Sequence, residues 1–173
     1  IAYHLPAMGG LTAGASFTNS GASGASDTTA VGARYAMSAG GASITLGAAT
    51  ATTEDSTQDI DSQNMGMKVV TGNVTFIASQ GKYEASSTDE TGTGAAISFK
   101  VNDAMSVGAF TVEVEDDTSS EEYTNTGAEI QYTIASGLTA FINVEDYDYK
   151  VGTSTSTTAD SGTVSKLTIK ATF

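Results

Sequence analysis

Apolar residues recur at every second position along almost the whole of this chain, and no stretch shows a convincing recurrence at 3.6. A backbone whose side chains alternate between two faces is a strand, so the pattern confines the fold to β-sheet. It predicts eleven strands, over residues 1–5, 11–19, 29–37, 42–52, 64–70, 74–83, 94–101, 105–115, 128–134, 138–151 and 163–173. Most are near the roughly 9–11 residues that a tilted strand needs to cross a bilayer, whereas strands of globular proteins average about 5–6. The closing stretch KLTIKATF shows the pattern at its cleanest. Leu167, Ile169, Ala171 and Phe173 share one face, and Lys166 and Lys170 the other.

The connections alternate in length. PAMGG, SAGG, TGN, NDA and ASG are short turns built on glycine, asparagine or aspartate. Between them come SGASGASDT, TEDSTQDIDSQ, ASSTDETGT, DDTSSEEYTNTG and GTSTSTTADSG, which read as long loops. In an up-and-down meander all five long loops fall at one end. Most of the acid goes with them: Asp27, Glu54, Asp55, Asp59, Asp61, Asp89, Glu90, Asp116, Asp117, Glu121, Glu122 and Asp160. Short turns at one rim and long polar loops at the other describe an antiparallel up-and-down transmembrane β-barrel of the bacterial outer-membrane type. A Greek-key sandwich would scatter its long connections between both ends.

The apolar rows include Val31/Ala33/Tyr35/Met37, Ala95/Ile97/Phe99/Val101, Phe110/Val112/Val114, Ala128/Ile130/Tyr132/Ile134 and Leu167/Ile169/Ala171/Phe173. A sandwich would bury such rows between two sheets, and a membrane barrel would turn them to lipid. Aromatic placement favours the barrel. Tyr35, Phe99, Tyr132 and Phe173 fall near the short-turn rim, and Tyr147 and Tyr149 near the opposite rim if a bulge keeps them in phase. Aromatic girdles at both edges of an apolar band mark the two membrane interfaces. The other face carries Arg34, Lys68, Lys100, Glu113, Glu115, Glu129, Gln131, Asn143, Glu145, Lys166 and Lys170. Arg34, Lys68, Lys100, Glu113, Glu115, Glu129, Lys166 and Lys170 are the candidate pore-lining residues, because charge in a wet lumen needs no burial partner.

Composition removes most other chemistries. Seven basic residues stand against 20 acidic ones, a net charge of −13, which disfavours nucleic acid and anionic surfaces as partners. The chain has no cysteine, so thiol chemistry has no part to build from; its one histidine, His4, lies near a chain end and reads as a lumen or rim residue rather than a base, and no catalytic residue is assigned. Paired carboxylates such as those in EVEDD and VEDYDY lack EF-hand spacing, and no metal ligand is assigned. Weak Ca2+ bridging between the acidic outer loops and lipopolysaccharide phosphates is the one cation role that the charge pattern suggests. No cofactor is expected.

The terminal strand resembles the C-terminal signature of Gram-negative outer-membrane proteins, with Phe173 last and Ala171, Ile169 and Leu167 at alternating positions before it. The resemblance implies recognition of these residues by the barrel-assembly machinery. The opening IAYHLPAMGGLTAGASF, through Tyr3, Pro6, Gly10, Gly14, Ser16 and Phe17, resembles a hairpin of the alphaproteobacterial general porins. That family forms trimers of barrels with about sixteen strands. The resemblance implies that residues 1–173 are the C-terminal part of one barrel domain, lacking about five strands and the inward-folded constriction loop. An odd strand number agrees, since bacterial barrels are even-numbered. The function it implies is passive diffusion of small hydrophilic solutes and ions across the outer membrane. The alternative, without channel activity, is a surface structural or adhesive β-protein built as a sandwich or stacked β-array.

Overall fold

The computed structural model describes residues 1–19, 26–54, 58–150, 152 and 159–172. They form eleven strands and no helix: β1 (Ala2–His4), β2 (Leu11–Asn19), β3 (Asp27–Ala39), β4 (Ala42–Glu54), β5 (Asp59–Thr71) and β6 (Val74–Ala85) come first. β7 (Thr88–Lys100), β8 (Met105–Asp116), β9 (Glu121–Ala135), β10 (Leu138–Lys150) and β11 (Asp160–Ala171) complete the set. All belong to one sheet in sequential order, each antiparallel to the next, with β1 and β11 at its edges. Antiparallel neighbours joined directly are the cheapest strand topology, because each pairing closes a short loop.

Turn chemistry sets the register at the short-turn rim. Gly40 and Gly41, with φ of +57° and +83°, make a two-residue connection between Ala39 and Ala42. Two positive φ values in succession define the hairpin turn whose twist matches its strands, and glycine adopts them at least cost. At the opposite rim the strands run further than alternation of apolar residues predicts. β5 begins at Asp59, β7 at Thr88 and β9 at Glu121. ASSTDETGT is therefore no long loop: residues 86–87 alone join β6 to β7, and Lys82 and Glu84 pair with Thr91 and Asp89. Beyond the apolar band a backbone ladder still gains its hydrogen bonds, and the side chains are free to be polar. Much of the acid assigned to loops consequently sits on strand ends: Asp59, Asp61, Asp89, Glu90, Asp116, Glu121, Glu122 and Asp160. Asp55 and Phe173 lie outside the described residues.

The sheet has no hydrophobic core. Among the described residues no apolar side chain is buried, while Ile142, Ile169 and Leu167 expose 50%, 56% and 68% of their surface. Cross-strand pairing gathers these residues on one face: Leu11–Tyr35–Leu46–Met67, then Phe76–Ile97–Ala109–Ala128, and Ile130–Ile142–Leu167. In water an uncovered apolar face of eleven strands would forfeit the main driving force of folding and invite aggregation. A sandwich would need a second sheet to cover this face, and the described residues form one sheet only. Hydrocarbon is the solvent that accepts this face. The fold is an antiparallel transmembrane β-barrel wall, open along its two edges.

Candidate functional site: the polar wall

The face opposite the lipid-facing rows is the one that a barrel encloses, and it divides into two unlike halves. Across β2–β7 it is nearly bare. Gly14 pairs with Gly32, Gly47 with Gly66 and Gly81 with Gly92. Arg34, on the same face as Gly32, pairs with Thr12 and Gly47. Lys68 pairs with Thr45 and Ile77, and Lys100 with Ser106. Three cations thus stand on a surface made mostly of small residues, with Ile77 beside Lys68. A groove of about 810 Å³ runs over β1–β5, lined in part by His4, Gly14, Gly32, Arg34, Gly47 and Gly66.

Across β8–β11 the same face carries larger groups in cross-strand rows. The outermost row is Val114, Tyr123, Tyr149 and Asp160; the next is Val112, Asn125, Tyr147 and Gly162. Below them come Phe110, Gly127, Glu145 and Val164, then Gly108, Glu129, Asn143 and Lys166. Lys170 shares the innermost row with Thr139 and Thr133. Asn143 Nδ2 donates to Glu129 Oε2 at 2.8 Å, and Asn125 Nδ2 to Glu145 Oε2 at 3.4 Å. Tyr147 donates its hydroxyl to Asp160 Oδ2 at 3.2 Å. Gly127 is the one buried residue among those described. A Cβ there would fall 2.7 Å from Phe110 Cζ and 3.0 Å from Glu145 Cγ, so the ring of Phe110 occupies the place of a side chain and reaches the stem of Glu145.

This register corrects the phase of two strands. Ala95–Ile97–Phe99 pair with Thr111–Ala109–Val107, so the lipid-facing row of β8 is Val107/Ala109/Thr111 and not Phe110/Val112/Val114. Glu113 and Glu115 follow Thr111 in phase, which removes them from the polar wall and sets them on the outside, near the acidic rim. Their carboxylates lie within 4.8 Å of that of Glu122, and Glu122 in turn holds Lys150 at 2.5 Å. Tyr147 and Tyr149 move the other way. β10 pairs with β9 without a break from Thr139 to Lys150, so the bulge needed to keep these tyrosines with Ile142 and Val144 is absent. They share the face of Asn143 and Glu145. Tyr35, Phe99 and Tyr132 stand on the lipid-facing side near the short-turn rim, as do Leu167, Ile169 and Ala171.

Alternation alone could have placed Phe141 and Tyr123 on the polar wall, since they are in phase with Asn143 and Asn125. Phe110 gave no such signal, because both faces of β8 are apolar near it. At the short-turn rim Lys100 donates to Asp103 Oδ1 at 2.7 Å. That hydrogen bond, and the lysine charge behind it, hold the Asp103 carboxyl below its ordinary value.

A one-layer antiparallel sheet with an uncovered apolar face, a charged inner face and aromatics at the interface defines a transmembrane barrel protein of the outer-membrane class. Residues 1–153 match the family model of the Gram-negative porins, and the chain belongs to that family. Members are outer-membrane channels rather than enzymes, which places this protein in the outer membrane. Among solved structures the fold is similar to OccAB4 of Acinetobacter baumannii, with a TM-score of 0.78, 13% identity, and coverage of 98% of this chain and 51% of that one. It is similar to an anion-selective porin from Comamonas acidovorans, with a TM-score of 0.74, 16% identity, and coverage of 99% and 58%. A further porin structure gives a TM-score of 0.69 at 19% identity, covering 99% and 60%. The chain therefore spans between about half and three fifths of these structures. A comparison with curated protein sequences found no match.

Proposed function

We propose that this protein is a passive diffusion channel for small hydrophilic solutes and ions, and that the described strands form the C-terminal part of a barrel of about sixteen strands. The observation that carries the proposal is a sheet whose apolar face has no protein cover while its other face is charged and polar. Transport in such a channel is sieving by lumen width, biased by the field of wall charges. Arg34, Lys68 and Lys100 on β3, β5 and β7 face anions; Glu129 and Glu145 on β9 and β10 face cations; Lys166 and Lys170 flank the acids from β11. Whichever group borders the narrowest passage sets the selectivity.

The assembly follows the family pattern of an alphaproteobacterial general porin: a homotrimer, delivered by the barrel-assembly machinery through Leu167, Ile169, Ala171 and Phe173. The acidic strand ends meet lipopolysaccharide, with weak Ca2+ bridging between carboxylates and lipid phosphates. Binding weaker than tens of millimolar, on the order of a hundred times weaker than extracellular calcium modules, would remove the calcium bridge. Planar-bilayer recording of protein from native outer membranes, under a salt gradient, tests the channel. Stepwise increments with a defined reversal potential are expected. A detergent-stable, SDS-resistant sample that gives no steps would overturn the proposal.

A further inference from the structure

The aromatic half of the polar wall has a composition that sieving does not require. Water and simple ions need only width and charge, yet β8–β11 turn Phe110, Tyr123 and Tyr147 into the space that the barrel encloses. Two glycines let rings lie against the backbone. Phe110 covers Gly127, and Tyr147 covers Gly162, where a Cβ would fall 3.1–3.3 Å from the phenol Oη, Cζ and Cε1 atoms.

The polar groups beside these rings are mismatched in a specific way. Glu145 stands in the row of Phe110, and Glu129 one row further in and diagonal to it, roughly 7–8 Å away across a strand pair. Each carboxylate receives one amide hydrogen bond on its Oε2 atom, from Asn125 and Asn143 respectively. No ion pair among the described residues engages either acid. Lys166 shares the row of Glu129 and Asn143 but bonds to neither. The asparagine donors are already directed at the carboxylates, and the Tyr147 hydroxyl is directed at Asp160. Toward its outer side this patch offers a solute negative charge, acceptor oxygens and ring faces, and the Lys166 ammonium stands at its inner edge.

A neutral sugar wants donors as well as acceptors, and an anion is repelled. An ammonium group suits the acceptors, and a hydrocarbon body suits the rings, whose faces also attract cations. We propose that the β8–β11 wall is a binding subsite for organic cations: protonated amines carrying a short hydrocarbon body. The ammonium sits between Glu145 and Glu129, and the body lies along Phe110 and Tyr147. Lys166 bounds the subsite on the inner side and directs the charged end toward the acids. The inference rests on the channel proposed above, and it makes that channel an amine-preferring one.

The test is single-channel recording in KCl with n-butylammonium added, against 1-butanol and glucose at equal concentration. Butylammonium should interrupt the K+ current, and the two neutral solutes should not. E145Q, E129Q and F110A should each raise the half-blocking concentration about fivefold or more, the scale of one carboxylate contact or of the apolar contact between one ring and the butyl chain. Steady K+ conductance that butylammonium leaves uninterrupted would overturn the subsite while leaving the channel standing. So would equal interruption by glucose or 1-butanol, or a half-blocking concentration unchanged in the E129Q/E145Q double variant. If no current is seen at all, the channel proposal fails and saturation-transfer NMR in detergent decides the subsite separately. Transfer to the butyl protons that disappears in E129Q/E145Q supports it; none with the unsubstituted protein overturns it.

Discussion

Placing an arginine on β8 at either of two positions three residues apart gives the sharpest test of which face meets lipid. Ala109 pairs with Ile97 on one side and Ala128 on the other, within the apolar row. Val112 pairs with Gly94 and Asn125, on the opposite face. Ala109 lies four residues beyond Met105, where β8 leaves the short-turn rim. With a rise of about 3.4 Å per residue and a tilt of about 45°, it stands about 10 Å above that rim. An apolar band roughly 25 Å tall then puts it within a few ångströms of the bilayer midplane, where a lipid-facing arginine costs about 2–4 kcal/mol. That is about a 30- to 900-fold loss in the folding equilibrium. Ala109→Arg should therefore show it nearly in full. Val112→Arg, only slightly off the midplane but facing water, should cost less than about 1 kcal/mol.

Reversible guanidinium unfolding in phosphatidylcholine vesicles reads both variants as shifts in midpoint at constant slope. The alternative phase of β8, with Phe110, Val112 and Val114 toward lipid, predicts the reverse order. A larger loss for Val112→Arg than for Ala109→Arg would refute the register, and with it the placement of Phe110 on the inner wall and of Glu113 and Glu115 on the outer surface.

Other substitutions probe local geometry. Gly127→Ala forces the Phe110 ring to move and should cost about 1–3 kcal/mol in the same unfolding assay, with most of the loss restored when Phe110→Ala is added. Gly41→Val puts a β-branched residue at φ +83° and should cost at least about 1–2 kcal/mol, seen as slower and less complete barrel formation. The Lys100–Asp103 pair has a defined pH signature. The carboxyl titrates lower in the folded state than in the unfolded chain, where aspartate titrates near about 3.9, so its contribution is fully present above that pH. It is lost as pH falls through the lower folded value. The stability gap between the parent protein and Asp103→Asn should accordingly narrow below about pH 4, and a gap independent of pH would remove the ion pair from the account.

The fold was largely legible because one face of nearly every strand is apolar and the other is not, so Leu167/Ile169/Ala171 against Lys166/Lys170 needs no partner strand to be phased. Strand ends were less legible. Asp59–Asp61 and Thr88–Thr93 look like loop, because outside the bilayer nothing selects apolar side chains, and only backbone pairing shows that the ladder continues. Phase failed where a strand carries bulk on both faces. β8 offers Val107 and Ala109 on one side and Phe110, Val112 and Val114 on the other, and by bulk alone the heavier row reads as the lipid side. The end of β10 failed for a related reason. Tyr147 and Tyr149 suit a membrane interface by residue type, but only a bulge would bring them there, and β10 pairs with β9 without one from Thr139 to Lys150. Both readings assume that a water-filled lumen is polar throughout. Rings that lipid would accept readily stand instead on the inner wall, over glycines that make room for them and beside Glu129 and Glu145, which make no ion pair among the described residues. A wall selected only to be wet and wide would not need that arrangement, and the misplaced residues are for that reason the ones that point to a preferred solute.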